Sequence, residues 1–160
     1  ILILSGILGF GYAVNLLLKQ EYPFASYEHE MQLTKAFLEG VQNTWSPDRV
    51  KLLGLGLDAC QASLDLITRT RSAGLTMLRE LPPRFPVVSL DFLGQDNAEI
   101  AFALENIYGI MTRTGLQCAP RAHQTLGSLP EASVRFSFGP KNSLEEVNYC
   151  LQALRKIDPA

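Results

Sequence analysis

The chain has 160 residues, 47% hydrophobic and 19% charged, with a formal net charge of −2, which is enough for a single domain with its own core. The near-neutral balance, with basic residues that form no run, gives no basis for nucleic acid or an acidic membrane surface as partner. Cys60, Cys118 and Cys150 are an odd number without a Cys-x-x-Cys pair, so neither a disulfide framework nor a zinc or other metal site is indicated, and a reducing cytosol is the expected compartment.

Residues 1–18 carry no charge and approach the length of a membrane span. Spanning needs about 20 apolar residues, however, and Ser5, Gly6, Gly9, Gly11 and Asn15 interrupt this run. A signal peptide would begin with a basic region that is absent, so no membrane span is expected. A helix follows from about His29 to Val41, with Met31, Thr34, Leu38 and Val41 on one face, and a turn at Trp45, Ser46 and Pro47. Val50 to Leu55 and Val87 to Phe92 read as strands bounded by Gly or Pro. Between them, Leu64, Ile67, Leu75 and Leu78 partly fit helical spacing, with a break at Ser72 to Gly74. Arg69, Arg71 and Arg79 in this stretch fit a solvated face.

Asp96 with Glu99 three residues on predicts a capped helix whose apolar face is Ile100, Leu104 and Ile107, ended by Gly109. Ile110 to Arg113 is short and β-prone. Arg113 to Gly127 then read Arg-Thr-Gly-Leu-Gln-Cys-Ala-Pro-Arg-Ala-His-Gln-Thr-Leu-Gly. Pro120 suits a first helical turn and Gly127 a position just past a helix end, so a short helix is expected from about Ala119 to Leu126. Cys118 stands at its start, where helix N-terminal amides and neighbouring cations favour a thiolate; the plainer alternative is an inert thiol in a tight turn. In the next strand Val134, Phe136 and Phe138 alternate with Arg135 and Ser137, which turns Arg135 away from the core. A guanidinium fork there matches a carboxylate, with a surface salt bridge as the alternative. Ser143 with Glu146 opens a last helix that buries Leu144, Val147, Leu151 and Leu154, with Cys150 beside them as packing. Strands too few and too short for a doubly wound sheet predict an α+β domain, a small mostly antiparallel sheet covered by helices.

The segment Arg113 to His123 resembles the active-site cysteine loop of the pyridoxal-phosphate-dependent cysteine desulfurases and selenocysteine lyases, the Suf-type branch of the class V aminotransferases. The loop pattern Arg-(Thr/Ser)-Gly-x-x-Cys-Ala is present in full, and Pro120, Arg121, Ala122 and His123 match an extension found in some members. Val134 to Glu146 resembles the strand, Asn-(Thr/Ser) loop and helix that follow in that family. Gly6 to Ala13 resembles the Gly-rich helix before its C-terminal domain, where small residues permit close packing.

The resemblance implies that residues 1–160 are the single C-terminal small domain of a longer fold-type I enzyme, with 58–81 a helical insertion. It implies Cys118 as the nucleophile that takes sulfur as a persulfide, Arg135 as the anchor of the substrate carboxylate, Arg113 and Asn142 as further substrate contacts, and His123 as a tuning residue or simply a hydrogen-bonded one. His29 is expected to face solvent, and Cys60 is assigned no chemistry. The implied reaction releases sulfur or selenium from cysteine or selenocysteine and leaves alanine, with a protein sulfur acceptor, a homodimeric parent and pyridoxal 5'-phosphate as cofactor. The cofactor lysine belongs to the missing N-terminal domain, since Lys19, Lys35, Lys51, Lys141 and Lys156 match no cofactor motif. This chain is therefore expected to hold no cofactor covalently and to be inactive alone. Two other readings stay open: a different class V enzyme in which Cys118 is incidental, and a stand-alone sulfur carrier or partner-binding domain.

Overall fold

The computed structural model describes residues 10–12, 14, 15, 24–72 and 84–158. In the two longer stretches the order is α1 (Phe24–Thr44), β1 (Val50–Leu53), α2 (Leu57–Ser72), β2 (Val87–Phe92), α3 (Asn97–Tyr108), β3 (Arg113–Thr114), α4 (Pro120–Leu126), β4 (Val134–Ser137) and α5 (Leu144–Ile157). The strands form one antiparallel sheet in the order β1-β2-β4-β3, which is the expected α+β architecture. Among the described residues no helix is long and apolar enough to cross a membrane.

Register divides the sheet into two faces, because alternate side chains of a strand point to opposite sides. Val50 pairs with Phe92, Leu52 with Leu90, Val88 with Phe136, and Leu90 with Val134, and these residues turn inward onto α1, α3 and α5. The core they share includes Met31, Phe37, Leu38 and Val41 of α1, Ile100 and Leu104 of α3, and Val147, Leu151 and Leu154 of α5. Phe37 lies 4.8 Å from Phe136 and 5.3 Å from Phe138, centroid to centroid. A Cβ added to Gly40 of α1 would stand 2.2 Å from Leu151 Cδ1, so the crossing of α1 and α5 is too close for a larger residue. Beyond α5, the Trp45 indole donates to the Asp158 carbonyl at 3.0 Å, and the buried Asp158 carboxylate receives Arg49 and Gln95.

Caps set the helix ends much as expected. Asp96 accepts from the Ala98 amide, and Gly109 closes α3 in the left-handed region at φ 67°. Ser143 and Glu146 form a complete capping box on α5. Other expectations need correction. α1 is longer than His29–Val41 at both ends, and β1 stops at Leu53 because Gly54 leaves the extended region at φ 106°. Ile107 is 70% exposed: the stripe runs Ile100, Leu104, Tyr108 at fourfold spacing, and Tyr108 is the residue that packs against the core. Leu144 is 49% exposed because it overhangs the core at the first position of α5. His29 does not simply face solvent; its Nε2 bonds the Asn142 carbonyl at 2.8 Å.

The first part of the 58–81 segment is α2, which packs on α1 and ties back through Arg71 to Glu28 at 2.8 Å. Arg69 is exposed. The expected break at Ser72 to Gly74, together with Leu75, Leu78 and Arg79, lies outside the described residues except for Ser72. Most of the Gly6 to Ala13 motif lies outside them too, and at Gly11 an added Cβ would meet nothing within 4 Å among the described residues.

Candidate functional site

The outward face of the sheet carries the site. On β2 and β4 the residues opposite the core pattern are Val87, Ser89, Asp91, Arg135 and Ser137, and Arg135 pairs with Ser89 on one side and with Arg113 on the other. Two arginines thus stand directly opposite each other on neighbouring strands, an arrangement that like charges disfavour. Arg113 is exposed and Arg135 half-buried, and among the described residues neither forms an ion pair. The Arg135 Nε is buried and has no hydrogen-bond partner. Arg135 therefore makes no salt bridge among the described residues.

The chain leaves Arg113 through a tight loop that returns over the same edge. The Gly115 amide donates to the Ser133 carbonyl at 3.2 Å, Gln117 Nε2 to the Arg113 carbonyl at 3.3 Å, and the Ala119 amide to the Leu116 carbonyl at 2.8 Å. Gln117 and Cys118 both sit in the left-handed region, at φ 52° and 62°. Non-glycine residues reach it at a cost of about 1–2 kcal/mol each, which the loop bonds offset. Cys118 is exposed at the apex of this loop, two positions before Pro120, the first residue of α4. Ala119 offers no side-chain cap, and Gly127 closes the helix at φ 67°.

α4 is short, and contacts at its far end hold it. Lys51, on the outward face of β1, donates to the Leu126 carbonyl at 2.9 Å, so the helix lies across that face of the sheet. His123 is 7% exposed and its Nδ1 is 2.8 Å from the Ser128 hydroxyl. This buried pairing identifies His123 as a residue that seats α4. An open depression of about 670 Å³ at this end is lined by Asp91, Asp96 and Glu131 among others. Its acidic groups make it unsuited to a carboxylate, in contrast to the arginine pair.

Asn142 is spent on the turn after β4. Its Oδ1 accepts from the Gly139 amide at 2.8 Å, its Nδ2 donates to Glu146 at 3.0 Å, and its carbonyl takes the bond to His29. The same network holds the Glu146 carboxyl below its usual range, through Asn142 and the Ser143 amide. The structure thus brings together Arg113, Arg135 and the Cys118 loop, while the side chains of His123 and Asn142 are engaged elsewhere. Ser89 was not singled out by the sequence; strand alternation puts it outward, but only register puts it beside Arg135.

The three thiols are free and differ sharply. Cys60 and Cys150 are buried, and burial pushes both thiols up, Cys150 to about 12. Of the three, only Cys118 is exposed.

The aminotransferase class-V family matches residues 57–150. A probable cysteine desulfurase of Mycolicibacterium paratuberculosis is 36% identical over 84 residues, 52% of this chain and 12% of that protein. Among solved structures, an apo cysteine desulfurase from Thermococcus onnurineus NA1 is similar with a TM-score of 0.57 and 26% identity, over 81% of this chain and 25% of the other. The Escherichia coli cysteine desulfurase CsdA shares the fold with a TM-score of 0.55 and 16% identity, over 81% of this chain and 24% of its own. The chain thus spans a quarter or less of the length of each. The family match covers more than half of this chain, its fold recurs in solved members, and the chain belongs to the aminotransferase class-V family.

Proposed function

We propose that residues 1–160 form the C-terminal small domain of a longer, pyridoxal-phosphate-dependent cysteine desulfurase, with Cys118 accepting sulfur and Arg135 and Arg113 holding the substrate carboxylate. The observation that carries this reading is the pair of opposed arginines without an acidic partner, beside the loop that exposes Cys118. An amino-acid carboxylate bound between them would replace repulsion with charge-assisted hydrogen bonds, bidentate at a guanidinium fork.

Held by its carboxylate, cysteine presents its sulfur within reach of a loop thiol. The Cys118 thiolate attacks that sulfur, an S–S bond forms, and the carbon–sulfur bond breaks with its electron pair left on the three-carbon fragment, which takes up a proton at that carbon and leaves as alanine; pyridoxal phosphate held by the rest of the parent would supply the electron sink for that pair. Exposure at a loop apex then lets a protein acceptor collect the persulfide. A selenocysteine substrate would use the same carboxylate anchor. His123 contributes by seating α4, and Asn142 by shaping the turn after β4.

The cofactor's own ligands lie outside this set. Class V aminotransferases are pyridoxal-phosphate-dependent; among the described lysines Lys51 bonds a helix carbonyl, Lys35 reaches Glu39 and Gln61, and Lys141 and Lys156 are exposed, and we assign the cofactor lysine to none of them. The cofactor belongs to the remainder of the parent, which we assign to a cytosolic homodimer. We assign residues 58–81 as an insertion, whose described part, 58–72 of α2, packs on α1.

The test is alanine and sulfide release from L-cysteine by the complete gene product, compared with its Cys118→Ala variant. Loss of both products with cofactor absorbance intact supports the assignment; unchanged turnover refutes it and moves the incidental-cysteine reading ahead.

A further inference from the structure

We propose that Ser89 is a positioning residue for Arg135: its hydroxyl accepts the Arg135 Nε–H when an amino-acid carboxylate binds, fixing the guanidinium so that its outer edge faces the ligand. This rests on the carboxylate-anchor reading above.

Three observations carry it. Ser89 is the direct cross-strand partner of Arg135 on the outward face, where opposed Cβ atoms stand about 4.5–5.5 Å apart. Ser89 is half-buried, and its hydroxyl makes no hydrogen bond among the described residues. The Arg135 Nε is buried without a partner, a state that costs a donor its lost hydration and that binding would relieve.

The other neighbours of Arg135 on this face do not serve. Arg113 has only donors, and Ser137 is exposed at the strand end. Asp91 lies one row away and receives Asn97 at 2.9 Å. Ser133, two residues back on β4, also has a buried hydroxyl without a partner, but it lies in the row of Asp91 and Gly115, under the Cys118 loop. Among the described residues Ser133 is the competitor on this face; the Thr112 hydroxyl, also buried without a partner, belongs by register to the row of Phe136 on the core side. A short hydroxyl side chain at position 89 also leaves the guanidinium room to lie along the sheet, which a longer residue would fill.

The experiment compares Ser89→Ala, Ser89→Thr and Ser133→Ala in the complete gene product with L-cysteine as substrate. Loss of one hydrogen bond to a charged group, about 1.5 kcal/mol or more, predicts a KM raised at least about tenfold in Ser89→Ala, with kcat within about twofold. Ser89→Thr keeps the hydroxyl and is expected to restore KM, and Ser133→Ala to resemble the wild type. A merely structural role for Ser89 would move stability without this split and without rescue by threonine. An unchanged KM in Ser89→Ala, or a raised KM in Ser133→Ala alone, overturns the inference. Acetate titration of the 160-residue chain, followed by amide NMR shifts, separates failure of the underlying reading. If Arg135→Ala binds acetate as the wild type does, the anchor itself is wrong. If Arg135→Ala loses binding while Ser89→Ala keeps it, only the Ser89 role is wrong.

Discussion

Replacing Arg113 by glutamine removes one of two opposed positive charges and should stabilise the fold while weakening anion binding. Arg113 and Arg135 share a cross-strand pair, so their guanidinium groups can lie about 6 Å apart, given a Cβ separation of about 5 Å. At the dielectric constant of water that repulsion is about 0.7 kcal/mol, and physiological salt roughly halves it. Partial burial of Arg135 acts in the opposite direction, which leaves about 0.5 kcal/mol. For a chain of 160 residues this corresponds to a rise in Tm of about 1–2 °C. Scanning calorimetry in low salt should detect the rise in Arg113→Gln, a smaller rise at high salt, and a loss of the stabilisation that acetate gives the wild type. A lower Tm in the variant at every salt concentration would mean that Arg113 makes a stabilising contact, and the repulsion argument would fail.

Three further outcomes are expected. Thiol labelling of the folded protein should modify Cys118 first, with Cys60 and Cys150 reacting only after unfolding; fast labelling of either buried thiol would contradict the packing. The Cys150 thiol is raised by burial from an ordinary 9.0 to about 12, so as pH rises through about 9 the unfolded chain loses this proton while the folded one keeps it. Stability from urea titrations should therefore fall with rising pH, with a slope approaching about 1.4 kcal/mol per pH unit for each such thiol, and Cys150→Ala should flatten the slope; an unchanged slope would place its origin elsewhere. Gly40→Ala brings a Cβ to 2.2 Å from Leu151 Cδ1, and overpacking of about 1–3 kcal/mol should outweigh the gain in helix propensity of about 1 kcal/mol, lowering the urea midpoint.

Much of this architecture is legible in local pattern. Alternation at Val134 to Ser137 turns Arg135 away from the core, and the Ser143–Glu146 box and the glycines at 109 and 127 set helix ends where the structure has them. What local pattern omits is pairing. The opposition of Arg113 to Arg135 and of Ser89 to Arg135 depends on sheet register, which no single strand encodes. The bond from His29 to the Asn142 carbonyl joins residues 113 positions apart, so an isolated histidine on a helix face gave no sign of it. Nor does the sequence announce the left-handed backbone at Gln117 and Cys118, because neither is a residue type that favours it. The candidate site is marked in the sequence by its cysteine motif and its strand arginine, while the opposition of two arginines is visible only with the two strands side by side.

The most direct test is mass spectrometry of the complete gene product during turnover of L-cysteine, with trapping of persulfides by alkylation. The account predicts that the peptide carrying Cys118 gains one sulfur atom, and that Cys118→Ala places no such gain on Cys60 or Cys150. Cysteine turnover in which the added sulfur never appears on Cys118 would contradict the central claim.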